Sequence, residues 1–346
     1  MEQRYVGHEN QLLTARRVAY RDGMSDGVRA IELRNIRGLY ATCVEDLGLN
    51  LYDFSYKGIN FAFQSKNGLV SNRFFNGGCG EFPYYWPAGM LYTCGLANNG
   101  VPVTEQGIYY TEHGRIGMMP AENVSMERIP EGVTIRGSVK DSLICGYDLR
   151  LHRELFFPAD GKEIAILDIV ENREGIPAEY MLLYHCNVGY PLLDAGARVI
   201  TGFGETRNRT PGDVPLPPCY TAGEPRNDKD ELVWERCVAQ TADGWGAAAV
   251  INDRLELGFY VRFQLDSLPI LVHWNNLCAQ DYCVGLEPAN CFSLGRTEER
   301  AHGTLPVLPP YGRKEFQLRL GVLEGKAEIE TFLANTMLNH QQEEII

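Results

Sequence analysis

A chain of 346 residues, 45% hydrophobic and 22% charged, is long enough to bury a sizeable core, and its composition excludes a disordered chain. Its 45 acidic against 32 basic side chains give a formal charge of −13. That excludes a general basic field for nucleic acid and disfavours polyanionic partners. The 36 glycines and 18 prolines exceed the usual combined share of roughly 12%, which points to many turns and short elements and excludes a helical bundle, a coiled coil or a collagen-like chain.

Residues 1–28 are polar and have no apolar h-region, so they are expected to form an arm ahead of the domain, in a cytoplasmic protein. Strand patterns begin after it. Ala30–Ile36 and Val133–Val139 alternate apolar and polar side chains. Leu149–Phe157 and Glu163–Glu171 do the same on either side of Pro158-Ala-Asp-Gly161, which reads as a hairpin. Tyr180–His185, Leu257–Phe263 and Phe316–Leu323 continue the series. Period-2 alternation marks antiparallel strands buried on one face. The stretches 68–125 and 194–232 show no clear period, so functional loops or unmarked strands are expected there. Helical spacing is scarce and clearest in the tail, Glu324–His340, where Ile329, Phe332, Leu333, Thr336 and Met337 fall on one face. No run approaches 18 apolar residues, and no membrane partner is expected. The reading is an all-β sandwich over 29–323, with an arm at 1–28 and a helical tail at 324–346. Arm and tail are the segments that could mediate a homodimer. The ten cysteines form no CxxC pair, so reduced thiols are expected and a structural zinc site is not.

Chemistry is sought among polar residues in or beside apolar runs. His185 follows the run Tyr180–Tyr184 and reads as a strand end. Glu287 lies between an apolar run and Pro288, again at a strand end where the chain turns outward. His113 sits in Glu112-His-Gly-Arg115, Arg73 in Ser71-Asn-Arg-Phe74, and Trp274 closes the run from Leu268. Each has an ordinary alternative: a satisfied core histidine, a turn glutamate, a surface histidine or arginine, a core tryptophan. Phosphate-loop and serine-hydrolase-elbow motifs are absent. His113, His185 and Glu287 are residue types that can hold zinc or iron, but no ligand spacing supports a metal.

Four segments in order carry a resemblance: Trp86–Asn98, His113–Ala121, Leu183–Asp194 and Tyr282–Asn290. Together, over roughly 30–323, the chain resembles the aldose 1-epimerase (galactose mutarotase) superfamily, in its divergent DUF4432-type branch. The resemblance implies a galactose mutarotase-like β-supersandwich with few short helices and a sugar cleft on one concave sheet face. It implies His185 as general acid, Glu287 as general base and His113 near the anomeric oxygen. It implies Asn72 and Arg73 on sugar hydroxyls, with Arg115 a rival for that task. Asn187 and Trp274 complete the expected substrate contacts, Trp274 as a platform for a sugar face. The family's further aspartate has no match in 200–256.

The residue types suit the reaction. Anomer exchange removes a proton from the C1 hydroxyl and delivers one to the ring oxygen; the ring opens, the C1 bond rotates and the steps reverse. One acid and one base around the C1–O5 unit suffice, each worth roughly 10²–10⁴-fold, and no cofactor is required. The buried histidine must then be held protonated by the nearby glutamate, and the two should titrate as a coupled pair. The small-molecule partner expected is a neutral carbohydrate. Two other readings use the same cleft: a lyase or epimerase on a modified sugar, with or without the help of a metal ion, and a non-catalytic sugar-binding protein.

Overall fold

The computed structural model describes residues 3–209, 214–241 and 243–337. Two antiparallel sheets, of 11 and 9 strands, share one core. In chain order the strands are β1 (Leu13–Ala19), β2 (Arg29–Asn35), β3 (Leu39–Val44), β4 (Asn50–Tyr56), β5 (Ile59–Asn60) and β6 (Leu91–Leu96). There follow β7 (Glu122–Ile129), β8 (Gly132–Ser142), β9 (Asp148–Pro158), β10 (Glu163–Asn172), β11 (Met181–Val188), β12 (Arg198–Ile200) and β13 (Gly204–Asn208). The last are β14 (Cys219–Thr221), β15 (Leu232–Val238), β16 (Trp245–Asn252), β17 (Leu257–Gln264), β18 (Ile270–Asn276), β19 (Cys283–Ala289) and β20 (Arg313–Glu324). The helices are short: α1 (Phe82–Tyr85), α2 (Arg296–His302) and α3 (Lys326–Met337).

The first sheet runs β1-β2-β3-β4-β6-β11-β19-β18-β15-β13, with β5 beside β4. The second runs β14-β12-β16-β17-β20-β10-β9-β8-β7. The expected hairpin is β9–β10, with Phe156 opposite Ala165. Its alternation is complete: Leu149, Leu151, Leu155 and Phe157 point inward, as do Ile164, Ile166 and Val170 of β10. Three inward positions are not apolar: Asn172 at the end of β10, and Arg153 and Asp168 in mid-strand. Arg153 and Asp168 are fully buried and joined by two hydrogen bonds, of 2.9 and 2.6 Å. Arg153 also donates to Thr93 Oγ1 of β6, and the Tyr184 hydroxyl of β11 donates to Asp168 at 2.8 Å. This pin ties the second sheet to the middle of the first.

β6, β11 and β19 are buried along their whole length. One face meets the second sheet. The other is roofed by α1 and the segment before β7, through Phe82, Leu69 and Met118 packed on Leu183 and Val272. A strand covered on both sides has no reason to alternate, which explains why β6 left no period-2 signature; the strands of 194–232 are three to five residues long, too short to show one.

The segment expected as an arm is part of the sheet over residues 13–19. β1 pairs with β2 from Leu13↔Asn35 to Ala19↔Arg29. Its charged look has a physical reason: β1 is an edge strand, and Arg16 and Arg17 pair with Glu32 and Glu45 at 2.6 and 2.7 Å. In the tail, α3 sets Ile329, Phe332 and Leu333 against Ile200, Ala249, Ile251 and Leu323; residues 338–346 lie outside the described residues. No described helix is long and apolar enough to cross a membrane. All ten cysteines are free thiols.

Candidate active site

The site grows from one register. Leu183 of β11 pairs with Ala289 of β19, and Cys186 pairs with Leu286. His185 therefore lies directly across from Glu287, where the proline at 288 has no N–H to give the ladder. Opposed residues of an antiparallel pair hold their Cβ atoms about 5 Å apart on one face. The side chains meet: His185 Nε2 is 3.2 Å from Glu287 Oε1, with both groups at most 6% exposed. They are not aligned as a hydrogen bond, since Glu287 Oε1 and His185 Nδ1 both lack a partner. Both residues sit inside their strands, not at the ends expected from the apolar runs.

Gly285 makes room for the carboxyl. A Cβ at that position would lie 2.2 Å from Glu287 Oε1 and 3.0 Å from the Trp274 Cβ. His113 arrives on a loop laid against β6. Its backbone is left-handed, at φ 55°, fixed by bonds from its N–H to the Gly100 carbonyl and from the Gly95 N–H to its own carbonyl. Its ring centroid is 5.6 Å from that of His185. Asn99 Oδ1 lies 3.3 Å from its Nδ1; with that oxygen accepting, Nε2 is left as a free acceptor.

These groups line one cavity of about 300 Å³. Phe82, Trp86 and Trp274 wall it, with Trp86 and Trp274 edge-on at 5.7 Å and both against His185. The rim holds Glu112, Glu231, Arg209 and Ser293. Trp274 Nε1 donates to Glu231 at 2.7 Å, and Arg209 Nη1 donates to Ser293 Oγ at 2.6 Å. Buried Glu235 accepts from both the N–H and the hydroxyl of Ser293.

Of the residues expected at a substrate, His113, His185, Glu287 and Trp274 line this cavity. Asn72, Arg73, Arg115 and Asn187 do not. Asn72 and Arg73 form a single helical turn; Arg73 is exposed and donates to the Asp26 carbonyl at 2.8 Å. Arg115 is exposed and lines a separate depression beside Lys140 and Asp141. Asn187 is fully buried and ties strands by donating to the carbonyls of Gly89 and His185. Arg209, Glu231, Glu112, Trp86 and Phe82 were not singled out from the sequence. Trp86 opens a segment that carries the family resemblance, and Glu112 adjoins His113; Arg209 and Glu231 carry no local signal.

The model of the family described as "Domain of unknown function (DUF4432)" matches residues 25–322. The chain belongs to the DUF4432 family. Its fold is galactose mutarotase-like. A protein of Klebsiella pneumoniae subsp. pneumoniae, described as a proposed aldose 1-epimerase, superposes with a TM-score of 0.86 at 24% identity, over 94% of this chain and 88% of that one. A galactose mutarotase-like protein of Clostridium acetobutylicum gives 0.65 at 12% identity, over 91% and 100%. A galactose 1-epimerase of Lactobacillus acidophilus gives 0.58 at 12%, over 91% and 100%. No curated protein matches the chain.

Electrostatics at the site of this DUF4432 chain follow from burial. Burial drives His185 well below the usual histidine range; the His113 charge adds to this, and Asn187 opposes it. Burial drives Glu287 well above the usual carboxylate range; Arg209 opposes this, and Glu231 and Glu235 reinforce it. Both directions favour the uncharged forms, a neutral imidazole beside a protonated carboxyl, because desolvation penalises each charge. His113 is pushed down to about 4, by burial first and then by Arg209. Among the described residues, no three His, Cys, Asp or Glu side chains are grouped as metal ligands.

Proposed function

We propose that this chain is an aldose 1-epimerase-like isomerase that interconverts sugar anomers by acid–base catalysis. The observation that carries the reading is the 3.2 Å approach of His185 Nε2 and Glu287 Oε1 on the floor of a tryptophan-walled cavity of about 300 Å³. That volume suits a monosaccharide, and the indole rings suit its apolar C–H face.

The pair holds one proton between its two groups. Neutral His185 takes the proton of the C1 hydroxyl while protonated Glu287 gives its own to the ring oxygen. The ring opens to the aldehyde and leaves imidazolium beside carboxylate. At about 3.2 Å and an effective dielectric of about 20, their attraction is about 5 kcal/mol, which keeps this state within reach. Rotation about the C1 bond and return of both protons close the ring on either face. The opposite assignment, histidine as acid, starts from the ion-pair tautomer and traces the same cycle, so the chemistry needs no outside proton and no cofactor. His113 Nε2 accepts a sugar hydroxyl. The one guanidinium on the rim, Arg209, is bonded to Ser293 and stands beside Glu112 and Glu231, which favours an uncharged sugar.

The test is exchange spectroscopy by NMR on a panel of aldoses. Glu287→Gln and His185→Asn are expected to retain sugar binding and to lose roughly 10²–10⁴-fold in exchange rate. Full exchange in Glu287→Gln would overturn the assignment.

A further inference from the structure

On the outer face of the second sheet, away from the cavity, four adjacent strands carry a second constellation. Ser138 of β8 stands directly opposite His152 of β9, and its Oγ lies 2.8 Å from His152 Nδ1. His152 Nε2 lies 2.8 Å from Glu171 Oε2 of β10. Arg313 of β20, opposite Glu171 in register, donates to the other oxygen at 2.8 Å. Burial pushes the Glu171 carboxyl up, but the hydrogen bonds from Arg313 and His152 outweigh it and hold it below the usual range. An ionised carboxylate only accepts, so the hydrogen of the neutral imidazole sits on Nε2. The Nδ1 lone pair is then left facing the serine hydroxyl. This is a nucleophile, a base and an orienting carboxylate in line, the arrangement that activates a serine whatever the fold.

The serine also faces a space. Ser138, His152, Asn123, Arg136, Leu167 and Ile169 line a depression of about 300 Å³. A β-bulge sets Asn123 and Val124 of β7 opposite the one residue Gly137 of β8, beside the serine. Bulges re-aim groups and leave a backbone position unpaired. Arg136 shares the serine's face; its Nε and Nη1 are held by Glu154 and Glu127, and its remaining N–H groups are donors for a developing oxyanion.

We propose that Ser138, His152 and Glu171 form a second, hydrolytic site that takes small carboxylic esters. Ser138 Oγ adds to the acyl carbon while His152 Nδ1 takes the hydroxyl proton. The ester C–O bond breaks, and the imidazolium returns that proton to the leaving oxygen. Water then adds to the acyl-serine by the same base, releasing the acid and restoring the serine. Ser138 and His152 act on the substrate; Glu171 is a positioning residue. Nothing in this sequence uses His185 or Glu287.

The experiment uses p-nitrophenyl acetate with the full chain. Mass spectrometry is expected to find an acetyl group on Ser138, and nitrophenol release is expected to fall about 10²-fold in Ser138→Ala and in His152→Gln. The melting temperature of Ser138→Ala, a half-exposed surface position, reports that the fold is intact. Glu171→Gln tests the orienting role through its pH–rate profile. Arg136, Lys140, Arg150 and Arg313 on that face each have a carboxylate partner. Losing Glu171 is therefore expected to move the rising limb to lower pH, whereas a structural role alone would lower the rate without moving the limb. Acetylation confined to lysines, or release unchanged in Ser138→Ala, overturns the proposal. Loss of anomer exchange in Glu287→Gln with ester cleavage intact separates the two sites.

Discussion

Gly285→Ala tests the site through space alone. The substitution adds one methyl group and no charge. Its Cβ would stand 2.2 Å from Glu287 Oε1, where ordinary contact begins at 3.4 Å, so the carboxyl must retreat by about 1 Å. The Trp274 Cβ at 3.0 Å blocks a compensating shift on the other side. Displacing a reacting group by about 1 Å costs roughly 10²-fold in rate. Exchange spectroscopy under saturating sugar reads that loss, and a denaturant melt reads stability separately. The double variant Gly285→Ala/Glu287→Gln is expected to be no slower than Glu287→Gln, because both changes act on the same carboxyl. Near-normal exchange in Gly285→Ala would refute the claim that the position of Glu287 limits the reaction.

Glu287→Gln should lose activity and gain stability. The folded-state pKa of Glu287 is raised above its unfolded value, so above the unfolded value the unfolded chain binds fewer protons and stability falls as pH rises. Removing the group lifts that cost at pH 7, read as an upward shift of the urea midpoint; a downward shift would contradict a protonated resting carboxyl. Burial shifts His185 down and Glu287 up, which favours one shared proton over either charged state. The maximal exchange rate should therefore be flat with pH around neutrality, and a rate that climbs on acidification through 6.5 would show that an added proton on histidine is required. Asp168→Asn strands Arg153, fully buried, without its carboxylate. It should cost about 3–5 kcal/mol by denaturant melt, and a loss under 1 kcal/mol would mean that the inter-sheet pin carries little of the stability.

The fold was legible wherever a strand has one wet face. β9 and β10 alternate without a break because their outer residues meet solvent. β6 and β19 show no alternation because both faces are covered. β1 looked like a polar arm because an edge strand keeps its charges outward. Burial pattern, not strand propensity, decides which strands announce themselves.

The site was legible along the chain and illegible across it. His185, Glu287 and His113 stand in the segments that carry the resemblance, and each reaches the cavity. Arg73 is implied by the resemblance as well, yet its turn points it at the Asp26 carbonyl. Arg209 is the guanidinium that lines the cavity, and nothing near 209 in sequence mentions 185 or 287. What joins them is a row across the sheet: Tyr92 opposite His185, Glu287 opposite Val272, Val272 opposite Glu235 and Glu235 opposite Arg207, with Arg209 just past the end of the same strand. A one-residue slip of β13 would turn Arg207 and its neighbours to the other face. The charge beside Glu287 is therefore set by the register of the strand that ends the sheet, a property that no linear motif around residue 209 records.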